Sequence, residues 1–116
     1  MAFLPVSNFL EETLLSSYNV SGGATAASSS DCVEFNRFSL QIIYASIVGE
    51  SSFILEQSND GTVWDEVDSI DYSIPRGTGS FTLDKQYFSG KNLRINLSTS
   101  GTGNSGTVTA KLVMKR

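Results

Sequence analysis

Between Phe38 and Met114 the chain falls into runs in which apolar residues return at every second position. Phe38, Leu40, Ile42 and Tyr44 share one phase. Leu93, Ile95 and Leu97 share another, and so do Val108, Ala110, Leu112 and Met114. A period of two sends neighbouring side chains to opposite faces of a strand, whereas a helix would space them by 3.6. Each run therefore has a single apolar face, and such a face must be buried against a second sheet. Turn signals stand between the runs at Gly49-Glu50-Ser51, Asn59-Asp60-Gly61, Pro75–Gly79, Ser89–Asn92 and Gly101–Gly106. Short alternating strands punctuated this way predict an all-β fold, an antiparallel β-sandwich or jelly roll of seven or eight strands. With 116 residues the chain has room for one core. The expected division is an N-terminal arm and flexible loop over 1–30 and the sandwich over 31–116.

The arm is the ambiguous part. Ser7 can cap a short helix over residues 7–15, with Glu11 and Glu12 in its first turn. Thr13 to Val20 also reads as an extended strand. At most one short helix is expected, and it belongs here. Residues 21–30, SGGATAASSS, show no period and read as loop. Phe3, Leu4, Val6, Phe9 and Leu10 are costly to leave in water. They either dock on a partner or complete the core.

Several function classes are excluded by what the chain lacks. It has no histidine and one cysteine, which removes His-based acid–base catalysis, Ser-His-Asp and Cys-His pairs, and Cys/His zinc sites. Cys32 reads as a small buried apolar residue. Net charge is −4 and the eight basic residues are scattered, which disfavours nucleic acid. No apolar run has the length of a membrane span, and Met1–Val6 lacks the basic start of a signal peptide. Synthesis in a cytoplasm is expected, with no catalytic residue, cofactor or metal.

The only tryptophan lies in Ser58–Trp64, SNDGTVW. Asn59, Asp60 and Gly61 tolerate the positive φ of tight turns, so they predict a hairpin tip with Trp64 capping the core. A calcium loop from Asp60, Asp65, Glu66 and Asp68 lacks the required spacing, because alternation sends Asp65 to the other face. An exposed Trp64 stacking on a sugar, in a cluster with Tyr72 and Tyr87, is the remaining alternative. Gly101–Gly106 runs between strands rather than into a helix, so it predicts a flexible hairpin and not a phosphate loop. Glu56, Asp65, Glu66 and Asp68 read as surface acids rather than as a glycosidase pair.

In order, FSLQIIYAS, FILEQSNDGTVW, KNLRINLSTSGTGNSG and TVTAKLVMK resemble the small β-sandwich proteins of tailed-bacteriophage virions. In those proteins a strand leads into SNDG-x-x-W, then a further strand, a Gly-rich turn and a last strand. Similar hairpins occur in discoidin-like and carbohydrate-binding sandwiches. The resemblance covers about two-thirds of the chain and leaves residues 1–30 outside. It implies a structural virion protein that is not an enzyme. Such a protein would be a capsid decoration or accessory protein, or a tail or fibre component. It would be homo-oligomeric and partnered by the major capsid or a tail protein. A carbohydrate- or receptor-binding module is the alternative.

Overall fold

The computed structural model of the chain describes residues 9–32, 35–86 and 88–115. They hold seven strands, every pairing antiparallel: β1 (Phe9–Asn19), β2 (Thr25–Ser28), β3 (Arg37–Ser58), β4 (Asp65–Glu66), β5 (Tyr72–Ile74), β6 (Gly77–Lys85) and β7 (Asn92–Lys115). The single helical element among the described residues is a 3-10 turn at Val20–Gly22, where Asn19 Oδ1 accepts from the Ser21 N–H at 3.0 Å. The fold is all-β and of sandwich or jelly-roll type.

The frame is one long ribbon. β3 has 22 residues and β7 has 24, and they pair from Arg37 opposite Lys115 to Ser58 opposite Asn92. The ribbon is doubled back on itself, so Asn36 before β3 and Gln57 near its end line one cavity with Phe88. This divides the sandwich in two. In the first half, residues 37–45 and 107–115 are flanked by β1 on β7 and β6 on β3. In the second, residues 50–58 and 92–100 are flanked by β2 on β7 and by β4 and β5 on β3. One core joins the inner faces: Phe38, Leu40 and Ile42 from the first half, Leu55, Leu93 and Ile95 from the second. Phe53 stacks across the halves on Phe81, with ring centroids 6.3 Å apart.

Both long strands change phase at the fold of the ribbon. Buried positions are even over Phe38–Ile42 and odd over Phe53 and Leu55; on β7 they pass from odd over Leu93–Leu97 to even over Val108–Met114. The cause is extra residues. β3 advances three residues from Ala45 to Val48 while β7 advances two, from Thr107 to Ser105. β7 then advances five, from Ser105 to Ser100, while β3 advances two to Glu50. Each strand gains an odd number, so its apolar face stays on the core side as the ribbon bends. Ser46 (φ 55) and Gly49 (φ 87) bend β3, and Gly103 (φ 79) and Gly106 (φ 107) bend β7. Gly106 also has a steric reason, since a Cβ there would come within 2.6 Å of the Ser46 carbonyl oxygen.

Two expected turns are therefore corrected. Gly49-Glu50-Ser51 bends a continuous strand instead of reversing it. Gly101–Gly106 is an excursion inside β7, both flanks of which pair with β3, and not a hairpin between strands. The short helix considered over 7–15 is also replaced, since Phe9–Asn19 is strand. Register shifts between Thr13 and Leu15, and between Leu15 and Tyr18, let adjacent Leu14 and Leu15 both reach the core. The helical reading rested on Ser7, which lies outside the described residues, and on Glu11 and Glu12, which stand on the strand instead. β2 comes from the unpatterned small residues, with Ala27 against the core. Among the described residues the packing unit thus begins at Phe9 rather than at residue 31.

Candidate binding surfaces

The connection after β3 is organised by its own side chains. Ser58 Oγ accepts from the N–H groups of Asp60 (3.2 Å) and Gly61 (2.8 Å) and lies 2.9 Å from Asp60 Oδ1. Asp60 Oδ1 in turn accepts from the N–H of Thr62 at 2.8 Å and of Val63 at 2.9 Å. These backbone donors, Val63 first and then Thr62, hold the Asp60 carboxyl below its usual range. Gly61 takes φ 76, and the return strand is the two-residue β4. Asn59, Asp60 and Gly61 are all exposed.

Trp64 is not where a core cap would be. It is half-buried and outside the core cluster, and the Arg94 guanidinium lies over its ring at 4.3 Å from the centroid. Beneath that stack Glu56, only 8% exposed, uses one oxygen for Arg94 Nε (3.0 Å), Arg94 Nη2 (2.8 Å) and Asn96 Nδ2 (3.1 Å). The sequence reading missed this network. Glu56, Arg94 and Asn96 do sit on the polar phase of their strands, but only the register that sets Glu56 opposite Arg94 brings them together. One face of the Trp64 ring is taken by a cation, which leaves only the other for any further stacking.

The other acids go separate ways. Asp65 and Glu66 are exposed on β4, while Asp68 turns to β6 and pairs with Lys85 at 2.8 Å. Tyr72 Oη also donates to Asp68. Burial works to raise Asp68, but hydrogen bonds from Lys85 and Tyr72 outweigh it and hold the carboxyl below its usual range. Burial, then the bond to Asp68, pushes Tyr72 up; the bond to Asp68 does the same to Lys85. Neither is a base near neutral pH. Lys85 belongs to the first half and Asp68 to the second, so the pair clasps the open side of the sandwich. Behind it Tyr72 stacks on Phe53 at 5.2 Å, and Phe81 meets Tyr44 at 6.3 Å. Trp64 and Tyr72 thus lie on different surfaces, and Tyr87 lies outside the described residues.

Among the described residues no three of His, Cys, Asp and Glu gather to hold a metal, and no helix is long and apolar enough to cross a membrane. Cys32 is fully buried and its Sγ donates to the Lys91 carbonyl at 2.9 Å. Burial pushes its thiol up, with Asp31 and Glu12 adding to the effect. What remains for recognition is the outer surface. A concavity of about 620 Å³ crosses the first half over Thr13, Ser39, Gln41, Thr82 and Lys111. Another of about 600 Å³ crosses the second half near the bend, over Ser52, Ser73, Arg76, Ser98 and Ser100. Both mix hydroxyls with charged groups, Glu11, Glu12 and Lys111 in the first and Glu50, Asp71 and Arg76 in the second. Of the expected partner contacts, Phe9 is 52% exposed at the start of β1, while Leu10 is half-buried against the core. Phe3, Leu4 and Val6 lie outside the described residues.

The chain matches no known family and no curated protein. Solved structures do share its fold. PBSX exported protein XepA aligns at TM-score 0.65 and 18% identity, over 97% of this chain and 40% of that one. The enzymatically active domain of bacteriophage CBA120 tailspike protein 4 aligns at 0.58 and 16%, over 95% of this chain and 20% of that one. The SPBc2 prophage-derived protein YomS aligns at 0.56 and 8%, over 98% of this chain and all of that one. The chain spans a fifth of the tailspike domain and two-fifths of XepA, but the full length of YomS. At these identities the likeness is one of fold, and it includes phage and prophage proteins.

Proposed function

We propose that this chain is a structural protein of a bacteriophage particle, acting by surface binding to the capsid or tail. The observation that carries the reading is the end-to-end likeness to a prophage-derived protein of the same extent, 98% of one chain and 100% of the other. The chemistry is compatible. Asp60 organises a turn, Asp68 a clasp and Glu56 a sheet face, and both concavities are open sheet surfaces. A protein whose task is to be bound needs exposed faces, edges and termini. Phe3, Leu4 and Val6, continued by exposed Phe9, form one contact with the capsid or tail partner.

Purified particles of the phage encoding the chain, grown without it, provide the test. Tagged full-length protein should add back at a fixed copy number, seen by quantitative mass spectrometry of the particles. No binding above background sinks the reading. Deleting residues 2–8, which leaves β1 intact, should abolish attachment while the melting temperature stays within a few degrees. Full occupancy by the truncated chain would remove the N-terminal contact and leave the particle reading standing.

A further inference from the structure

We propose that the free edge of β6 is a self-association site, where a second copy of the chain adds its own β6 antiparallel about a twofold axis at Ser80. This goes beyond particle binding and stands whether or not the chain is carried on a particle.

The inference starts from how the edges are protected. An exposed edge strand offers unpaired N–H and C=O groups, and proteins blunt it by shortness, bulges or charge. β2, β4 and β5 have four, two and three residues. β1 is longer but carries two register breaks together with Glu11 and Glu12. β6 carries such devices only at its ends, a register shift between Gly79 and Gly77 and the charges of Asp84 and Lys85. It runs nine residues, pairs with β3 without a break from Lys85 to Gly79, contains no proline, and is charged only at Asp84 and Lys85. Among the described residues it makes no backbone hydrogen bond outside its pairing with β3. Alternate backbone groups along it therefore face outward.

Its side chains then select the partner. Thr78, Ser80, Thr82 and Asp84 are exposed on the outer face, and half-buried Phe81 and Leu83 pack toward the core. Matching outer face to outer face in an antiparallel self-pair requires residues of equal parity to stand opposite. With Ser80 opposite Ser80, Thr78 meets Thr82 as a hydroxyl pair, and Phe81 and Leu83 stand opposite Gly79 and Gly77. Arg76, at the entry to the strand, meets Asp84. Arg76 and Asp84 form no ion pair within the chain among the described residues. The second copy's Phe81 would reach the Tyr44 ring, which already covers Gly79 so closely that a Cβ there would lie 2.6 Å from Tyr44 Oη. That contact would extend the row of Tyr72, Phe53, Phe81 and Tyr44 across the axis. The neighbouring registers do worse. Centring on Phe81 sets Asp84 against Thr78, and centring on Gly79 sets Arg76 against Thr82. Small against large, hydroxyl against hydroxyl and plus against minus coincide in one register, and that makes the occupant a second copy.

Sedimentation equilibrium of the full chain should show a dimer. Ser80→Lys sets two like charges face to face at the axis and should leave a monomer that keeps the circular dichroism of the folded chain, Ser80 being exposed. Arg76→Asp should weaken the dimer about tenfold, and adding Asp84→Arg should restore it. Ser80→Cys should link two copies on mild oxidation, since Cys32 is buried. A wild-type monomer at all concentrations overturns the proposal, as does a Ser80→Lys dimer of undiminished affinity. Failure of the charge swap to restore association overturns the register. Should Ser80→Lys lose that spectrum, absence of the Ser80→Cys link counts against the site.

Discussion

The two halves of the sandwich share β3 and β7 yet are held by different means. In the first half, β1 and β6, of 11 and nine residues, extend the ribbon as long hydrogen-bonded ladders. In the second, the flanking strands have only four, two and three residues, too few to fix an edge by backbone pairing. There side chains take over. Glu56 gathers Arg94 and Asn96 on the outer face, Trp64 lies on Arg94, and Asp68 reaches over to Lys85. Regular ladders need only alternation. Irregular loops need particular charged groups, and they sit where the chain leaves β3 and returns.

The largest expected effect would break the unity of the halves. Phe53 touches Tyr72 in its own half and Phe81 in the other. Phe53→Ala should cost ~3–5 kcal/mol in denaturant unfolding, still as one transition. Two separate transitions would show that the halves are independent.

A smaller pair of effects sharpens the contrast on the second half. Glu56→Ala strips Arg94 and Asn96 of their acceptor and should cost ~1–3 kcal/mol. Trp64→Ala, which removes a half-buried stack on Arg94 outside the core cluster, should cost only about 1 kcal/mol. A loss near that of Phe53→Ala would put Trp64 back in the core.

The smallest effect is one of pH, and it tests the clasp between the halves. The folded carboxyl of Asp68 lies below its unfolded value, so its contribution is present above the ordinary carboxylate pKa of about 4 and is lost as pH falls through the folded value. Lys85 and Tyr72 lie above theirs, so their share is complete at neutral pH and disappears only on the alkaline side. Wild type and Asp68→Asn should therefore differ in unfolding free energy across neutral pH and converge below about pH 4. A constant gap down to the lowest pH would remove the ion pair as the cause.

Much of the architecture could be read from the residues, because alternation is a local consequence of where each strand's two faces go. The runs through Phe38, Phe53, Leu93 and Val108 all sit in strands with those residues buried. The turn chemistry of Ser58, Asp60 and Gly61 is equally local, since each bonds within a few residues of itself. The site was less legible. Trp64 is large and apolar, and composition alone sends such a residue inward; its position on Arg94 follows from a partner 30 positions away.

What the sequence by itself determined was the all-β class, the apolar faces and the tip after β3, each governed by backbone sterics and by neighbours one to four residues apart. Tertiary structure alone decided that Gly49 and Gly106 bend strands where an ordinary turn was expected. It decided too that β1 and β2 pair into the sheet, and that Glu56, Arg94 and Trp64 form one cluster. Those outcomes depend on register between β3 and β7, whose paired residues lie as far apart as Arg37 and Lys115. A single inserted residue reverses every face beyond it. No local pattern records which bulge the packed core will accept.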